Sequence, residues 1–182
     1  ILNFQKSNIA TFPTRTQLKF SALYTWKHFA LCNGNFWRTF YCRENMKKVL
    51  VLCTGNSCRS QIAEGYLRHF ASDKAEIYSA GVETHGVNPR AIATMEEDGI
   101  DISKHTSNNI DEYFDIDFDF VITVCDNAKE RCPFFPTKAK KFHQNFPDPA
   151  KSTGTETEIL EQFRQVRQMI KSYSQQFVTD NL

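Results

Sequence analysis

Cys53-Thr54-Gly55-Asn56-Ser57-Cys58-Arg59-Ser60 is the stretch of this 182-residue chain whose residue types and spacing best suit chemistry. A cysteine and an arginine stand in the pattern C-x5-R, with Gly, Asn and Ser between them. As a loop at a helix N-terminus, these residues make a cradle of backbone N–H groups, which is an anion site. The amides of 54–58 and a bidentate Arg59 guanidinium can surround three oxygens of a tetrahedral oxyanion, with the Cys53 sulfur beneath its central atom. The same positive field is expected to favour thiolate over thiol at Cys53, making it a nucleophile at neutral pH. Ser60, one turn away, is expected to donate a hydrogen bond to that sulfur and suits the N-cap of the helix. The bland alternative is a buried cysteine that happens to precede a turn.

Such a loop needs a strand before it and a helix after it. Residues 48–52 form an apolar Val- and Leu-rich run, as expected for a strand buried on both faces of a parallel sheet, and Cys53 ends it. Beyond the loop, Ile62, Ala63, Tyr66, Leu67 and Phe70 recur at helical spacing. A second strand is predicted over 76–80, and Asn88 with Pro89 opens a helix running to Gly99. Residues 118–124 read as a third strand and 140–142 as a fourth. A last helix over 155–177 places Ile159, Leu160, Phe163, Val166, Met169, Ile170 and Tyr173 on one stripe. This alternation predicts an α/β fold, a three-layer sandwich with a four-stranded parallel sheet. Ligands of such sheets bind beyond the carboxyl ends of the strands, where Cys53 falls.

Six cysteines occur, and Cys53, Cys58, Cys125 and Cys132 lie in the region of alternating elements. With no secretion signal, four such thiols imply redox chemistry or a metal. Zinc on Cys125, Cys132 and His143 is disfavoured by the spacing, because no C-x2-C pair is present. A disulfide needs Cα atoms within about 7 Å, so Cys125 can reach Cys53 if their strands are neighbours. If residues 125–132 were helical, Cys125 and Cys132 would stand on the order of 10 Å apart. Pairing them therefore requires a segment over 126–135 that rearranges on oxidation, ended by Pro133 and Pro136.

The composition, 41% hydrophobic and 24% charged with net charge +1, fits one globular domain and excludes a disordered chain, a collagen or a coiled coil. No run approaches the roughly 18 uncharged apolar residues of a membrane-spanning helix. Residues 1–45 differ in kind: six Lys or Arg face the single acid Glu44, and ten of the 24 aromatic residues fall here. The first methionine, Met46, directly precedes the first strand. Residues 1–45 therefore read as an extension outside a domain over 46–182. The alternative is a targeting segment: the stretch is poor in acids and has several Ser and Thr, but it lacks arginine richness, a clear amphipathic repeat and a secretory apolar core. Truncation before Met46 is expected to leave fold and activity intact.

The motif VLCTGNSCRSQIAE (51–64) resembles the signature of the low-molecular-weight protein tyrosine phosphatase fold and, more narrowly, of the thioredoxin-coupled arsenate reductases. The resemblance continues through SAGVETHGVNPRA (79–91), DGIDISKHTS (98–107), VITVCDNAKERCPFFP (121–136) and FPDPA (146–150), and does not touch 1–45. It implies a relay used in arsenic detoxification. The Cys53 thiolate attacks arsenate, and a water leaves after protonation by Asp148, which Pro147 and Pro149 stiffen. Cys125 then attacks the Cys53 adduct and releases arsenite, Cys132 attacks Cys125, and thioredoxin reduces the final disulfide. Cys58 reads as a spectator. The resemblance also offers a potassium ion beside the loop, held by Asn56, Glu64, Thr106 and Asn108. The neutral Asn108 weakens that case. Asn56 alternatively braces the loop, and Glu64 is alternatively an ordinary helix residue. The runner-up function is a phosphatase acting on phosphotyrosine or a small phosphoester, since phosphate, sulfate and arsenate share a shape. Ala150 stands where the tyrosine phosphatases usually carry an aromatic. A non-enzymatic redox-sensing or oxyanion-binding module is the remaining alternative. A cytoplasmic monomer is expected, with no nucleic-acid or membrane partner.

Overall fold

The computed structural model describes residues 46–126 and 138–182. The extension 1–45, Cys132 and all of the 126–135 segment except Asp126 lie outside the described residues. Strand β1, Lys47–Cys53, is the Val- and Leu-rich run, and Val49 to Leu52 are buried on both faces of the sheet. It pairs in parallel with β2, Ala75–Gly81, on one side and with β3, Phe120–Thr123, on the other. β3 pairs in parallel with β4, Lys140–His143, so the order is β2-β1-β3-β4. The third strand is shorter than the 118–124 expected from its apolar run. Phe118 instead stacks edge-on against Tyr78 below the sheet, with ring centroids 5.5 Å apart.

Among the described residues three helices cover one face: α1, Arg59–Ala71; α2, Pro89–Glu96; and α3, Glu156–Asn181. Val49, Val51, Ile77 and Ile122 of the sheet meet Ile62, Tyr66, Met95, Phe163 and Ile170 there. Each such side chain contributes about 1.5–3 kcal/mol by leaving water. On the opposite face Leu50, Leu52, Ala80 and Val121 are covered by the segment 110–118, which includes a 3-10 turn at Ile110–Tyr113. Three layers result.

The helix starts follow local chemistry, with one exception. Asn88 accepts from the Arg90 amide ahead of Pro89, and Thr155 forms a reciprocal capping box with Glu158. Ser60, in contrast, is not an N-cap: Cys58 precedes the first turn of α1 without a side-chain cap, and Ser60 lies inside the helix. α2 ends at Glu96 rather than Gly99. Gly99, at φ +77°, lies in the closing turn, where the Ile100 amide donates to the Met95 carbonyl. Met169 leaves the expected buried stripe of α3 and is 49% exposed.

β1 has its two neighbours on opposite sides, so the chain reverses its direction of sheet-building after β2, and the connections leaving β1 and β3 diverge. That reversal opens a crevice at the carboxyl ends of β1 and β3. Cys53 closes β1, and Leu52 is level with Thr123 of β3, which brings Cys125 just above Cys53.

Candidate active site

The loop between β1 and α1 is turned inside out relative to a helix. The carbonyls of Thr54, Gly55 and Ser57 accept from the amides of Glu83, His85 and Asn88 at 2.9, 3.2 and 2.9 Å. The Asn56 carbonyl accepts from the Gln61 side-chain amide at 3.1 Å. The loop's peptides are trans, so the amides of Gly55, Ser57 and Cys58 point the other way, into a cavity of about 290 Å³. Its lining is Cys53, Thr54, Gly55, Ser57, Cys58, Arg59, His85, Asp148, Ala150 and Lys151. Gly81 lets β2 approach this loop, because a Cβ there would sit 2.7 Å from the Thr54 carbonyl oxygen. A larger open groove of about 720 Å³, around Phe146, Met169 and Tyr173, has no carboxylate, thiol or cation in its lining.

Asn56 is fully buried, has a left-handed φ of +41° and does not line the cavity. Its side-chain oxygen accepts from Ser60 Oγ and Gln61 Nε2, each at 2.9 Å, and lies 2.9 Å from Ser79 Oγ, whose one proton goes to Glu64 at 2.6 Å. Its amide nitrogen donates to the carbonyls of Ser79 and Asn108 at 3.1 and 3.3 Å. Asn56 therefore braces the loop from behind. The expected bond from Ser60 to Cys53 is replaced by the one to Asn56, because an amide oxygen is a far better acceptor than sulfur.

Arg59 lies across the cavity floor. Its terminal nitrogens donate to the Phe146 carbonyl at 3.0 Å and to Asp148 Oδ2 at 2.9 Å, while its buried Nε has no partner among the described residues. A buried N–H without a partner is costly, and an oxyanion in the cradle would satisfy it. Asp148 starts the short turn Pro149–Lys151, and its carboxylate also accepts from the Ala150 amide.

The two thiols touch: Cys53 Sγ and Cys125 Sγ are 3.5 Å apart, and the Thr54 hydroxyl lies 3.4 Å from the Cys125 sulfur. The hydrogen bond to Cys125 pushes the Cys53 thiol up, burial adds to the effect, and the Arg59 guanidinium and Thr54 amide only partly oppose them. The expectation of a thiolate made by the positive field alone is therefore corrected. Two sulfurs in contact cannot both be charged, so the pair titrates as a unit. Burial pushes the Cys58 thiol up to about 12, with Asp148 adding and Arg59 opposing, so it is protonated at neutral pH.

The residues offered to potassium do not fit a cation as they are arranged. Asn56 Oδ1 already receives the Ser60 and Gln61 donors, Glu64 is held by Ser79 Oγ at 2.6 Å and by Arg68 at 2.6 Å, and the Thr106 carbonyl accepts from Gln61. The Asn108 side-chain amide is turned to the Tyr113 hydroxyl. Among the described residues no group of three or more His, Cys, Asp or Glu is placed to hold a metal.

Comparison with known proteins supplies the lineage. The model of the low molecular weight phosphotyrosine protein phosphatase family matches residues 48–182. The chain belongs to this family. Within it, an arsenate reductase of Halalkalibacterium halodurans is 48% identical over 69% of this chain and 91% of the relative. That of Bacillus subtilis is 45% identical over 72% and 94%. A solved arsenate reductase in the phosphate binding state superposes with a TM-score of 0.65 at 36% identity, covering 74% of this chain and 98% of that one. An arsenate reductase in the oxidized state gives 0.64 at 35% identity, with the same coverage of each chain.

Three features of this family member escape a reading by residue type. Gln61 is fully buried and joins Asn56, Thr106 and His105, yet glutamine in a first helical turn is unremarkable in sequence. Its one signal is a polar residue on the apolar face of α1. His85 packs its ring over Gly55, where a Cβ would meet it at 2.4 Å. The Phe146 carbonyl, which holds Arg59, has no side-chain signature at all.

Proposed function

We propose that this chain reduces arsenate to arsenite at the Cys53 loop, using Cys53 and Cys125 as the first two thiols of the relay. The observation that carries the reading is the 3.5 Å contact between these sulfurs at the floor of an oxyanion cradle. Phosphoester hydrolysis has no use for a second thiol there.

Arsenate enters among the amides of Gly55, Ser57 and Cys58 and draws Arg59 toward itself, loosening the Arg59–Asp148 ion pair. Asp148, freed from the guanidinium, relays the proton given up by the Cys53 thiol to the departing oxygen as Cys53 forms a sulfur–arsenic bond and water leaves. Cys125 then attacks the Cys53 sulfur. The sulfur–sulfur bond forms, the sulfur–arsenic bond breaks, and its electron pair stays on arsenic, which falls from the +5 to the +3 state. Two thiols and one dihydrogen arsenate ion thus give one disulfide, one arsenite and one water. The Cys132 thiol attacks Cys125, so that the Cys125–Cys132 bond forms, the Cys53–Cys125 bond breaks and Cys53 returns as a thiol; thioredoxin in the cytoplasm then reduces the Cys125–Cys132 bond. No step uses a potassium ion.

The test is arsenate-dependent NADPH oxidation with thioredoxin and thioredoxin reductase, comparing the protein with its Cys132→Ser variant. Turnover by the first and at most one equivalent of arsenite from the second are expected. No arsenate turnover, with steady aryl phosphate hydrolysis that survives Cys125→Ser, would make the chain a phosphatase.

A further inference from the structure

Cys125 is the first residue beyond the ladder that holds its strand. The Val124 amide donates to the Leu52 carbonyl at 2.9 Å, and the Val124 carbonyl accepts from the Phe146 amide at 3.3 Å. On the far side of Cys125, Asp126 is gripped by two side chains from the end of β4 and the loop after it. Asn145 Nδ2 donates to Asp126 Oδ2 at 2.6 Å, and His143 Nε2 lies 3.2 Å from Asp126 Oδ1. The other imidazole nitrogen, Nδ1, lies 2.7 Å from the Thr123 hydroxyl. One imidazole joins Thr123 to Asp126. The line Thr123–His143–Asp126 thus leaves β3, crosses to β4 and returns on the other side of Cys125. None of its members lines the oxyanion cavity.

We infer that Asp126, His143 and Asn145 form a clamp that positions the Cys125 sulfur against Cys53, governing the disulfide-forming step and not the capture of the oxyanion. The inference rests on the function proposed above. These are positioning residues, acting through Cys125. Attack on sulfur needs the two atoms near contact, and a displacement of about 1 Å costs on the order of 100-fold in rate. One end of Cys125 is fixed by the sheet ladder and the other by this clamp. Releasing the second end lets the sulfur leave its 3.5 Å contact while the loop amides, Arg59 and Asp148 stay as they are.

The experiment compares the reduced full chain with Asp126→Ala, which breaks both grips, and Asn145→Ala, which breaks one. Formation of the Cys53–Cys125 disulfide after arsenate addition is followed by rapid alkylation and mass spectrometry, and binding of inorganic phosphate is titrated in parallel. The expected result is disulfide formation slowed about tenfold or more in Asp126→Ala and by less in Asn145→Ala, with phosphate affinity within about twofold of the parent. Unchanged disulfide rates, or phosphate affinity falling in step with them, would overturn the clamp. If the parent itself forms no disulfide with arsenate, the proposed function fails separately. Diamide, which oxidises a thiol pair to a disulfide while being reduced to a hydrazine, then makes the same comparison. A tenfold lag in Asp126→Ala supports the clamp, and equal rates refute it.

Discussion

Asn56→Ala tests whether the oxyanion cradle is held from behind. The substitution deletes four hydrogen bonds: two accepted by the side-chain oxygen and two donated by the amide nitrogen. They are not lost equally. Ser79 Oγ keeps Glu64, Gln61 Nε2 keeps the Thr106 carbonyl, and the Asn108 carbonyl keeps the Gly81 amide. The buried Ser60 hydroxyl loses the acceptor it uses, which costs about 1–3 kcal/mol. Alanine at φ +41° adds about 1 kcal/mol, since asparagine tolerates the left-handed region better. The total is about 2–4 kcal/mol, which lowers the Tm of a domain this size by about 10 °C. Because the middle of the loop then loses its side-chain ties to α1, to β2 and to Asn108, phosphate affinity is expected to fall at least about tenfold, equivalent to about 1.4 kcal/mol. Thermal unfolding with and without phosphate reads both. Ser60→Ala is the companion: removing the donor spares the acceptor, which retains Gln61, so a loss near 1 kcal/mol and near-parental activity are expected. A Tm for Asn56→Ala within about 2 °C of the parent, with unchanged phosphate affinity, would refute the bracing argument. So would a Ser60→Ala protein that melts normally but has lost activity, since that outcome belongs to a hydroxyl acting on Cys53.

Cys125→Ala removes the hydrogen bond and the charge that push Cys53 up, so the Cys53 pKa should fall and its alkylation at neutral pH should accelerate; a thiolate absorbance titration measures this, and a rise would contradict the coupling of the two thiols. Asp148→Asn should slow formation of the Cys53 adduct by about 10²–10⁴-fold while leaving phosphate binding equal or tighter, because Arg59 loses a competitor; rapid-quench kinetics and a phosphate titration separate the two. The Asp98 carboxyl is held below its ordinary range by Lys171 and then by the Tyr66 hydroxyl, a depressed folded value, so its stabilisation is present above the ordinary carboxylate pKa and is lost as pH falls through the lower folded value. Asp98→Asn should therefore cost about 1 kcal/mol at pH 7 and less below about pH 4, seen as a flatter acid limb in a plot of Tm against pH.

The order of elements was legible because each one is announced locally. β1 is apolar on both faces, the loop after it carries Gly and Asn, and α2 and α3 open on Asn88-Pro89 and on Thr155 with Glu158. The cavity was legible from C-x5-R for the same reason, since its amides come from one short segment. What stayed hidden depends on distance in the chain. The Arg59–Asp148 ion pair joins residues 89 positions apart, and the grip of His143 and Asn145 on Asp126 requires β3 and β4 to be neighbours. The direction of the Ser60 hydroxyl and the burial of Gln61 follow from which side of α1 faces the loop, which periodicity gives only for apolar residues. Met169 fits the helical stripe by spacing, yet α3 has no neighbour to cover it there among the described residues.

The electrostatics of the thiol pair carry the proposed chemistry one step further. In the resting site Cys53 and Cys125 titrate as a unit, and each resists a second negative charge 3.5 Å away. Once Cys53 is bonded to arsenic, its sulfur is no longer a thiolate and no longer repels one. The obstacle to ionising Cys125 is thereby removed by the first covalent step itself, so the second thiol becomes a nucleophile only after the first has found its oxyanion. Thr54 reinforces the coupling, because its amide belongs to the oxyanion loop and its hydroxyl lies 3.4 Å from the Cys125 sulfur. In this arrangement a premature disulfide without arsenate is slow for lack of an electron acceptor, and a stalled adduct is short-lived because the attacking sulfur is already in contact with its target.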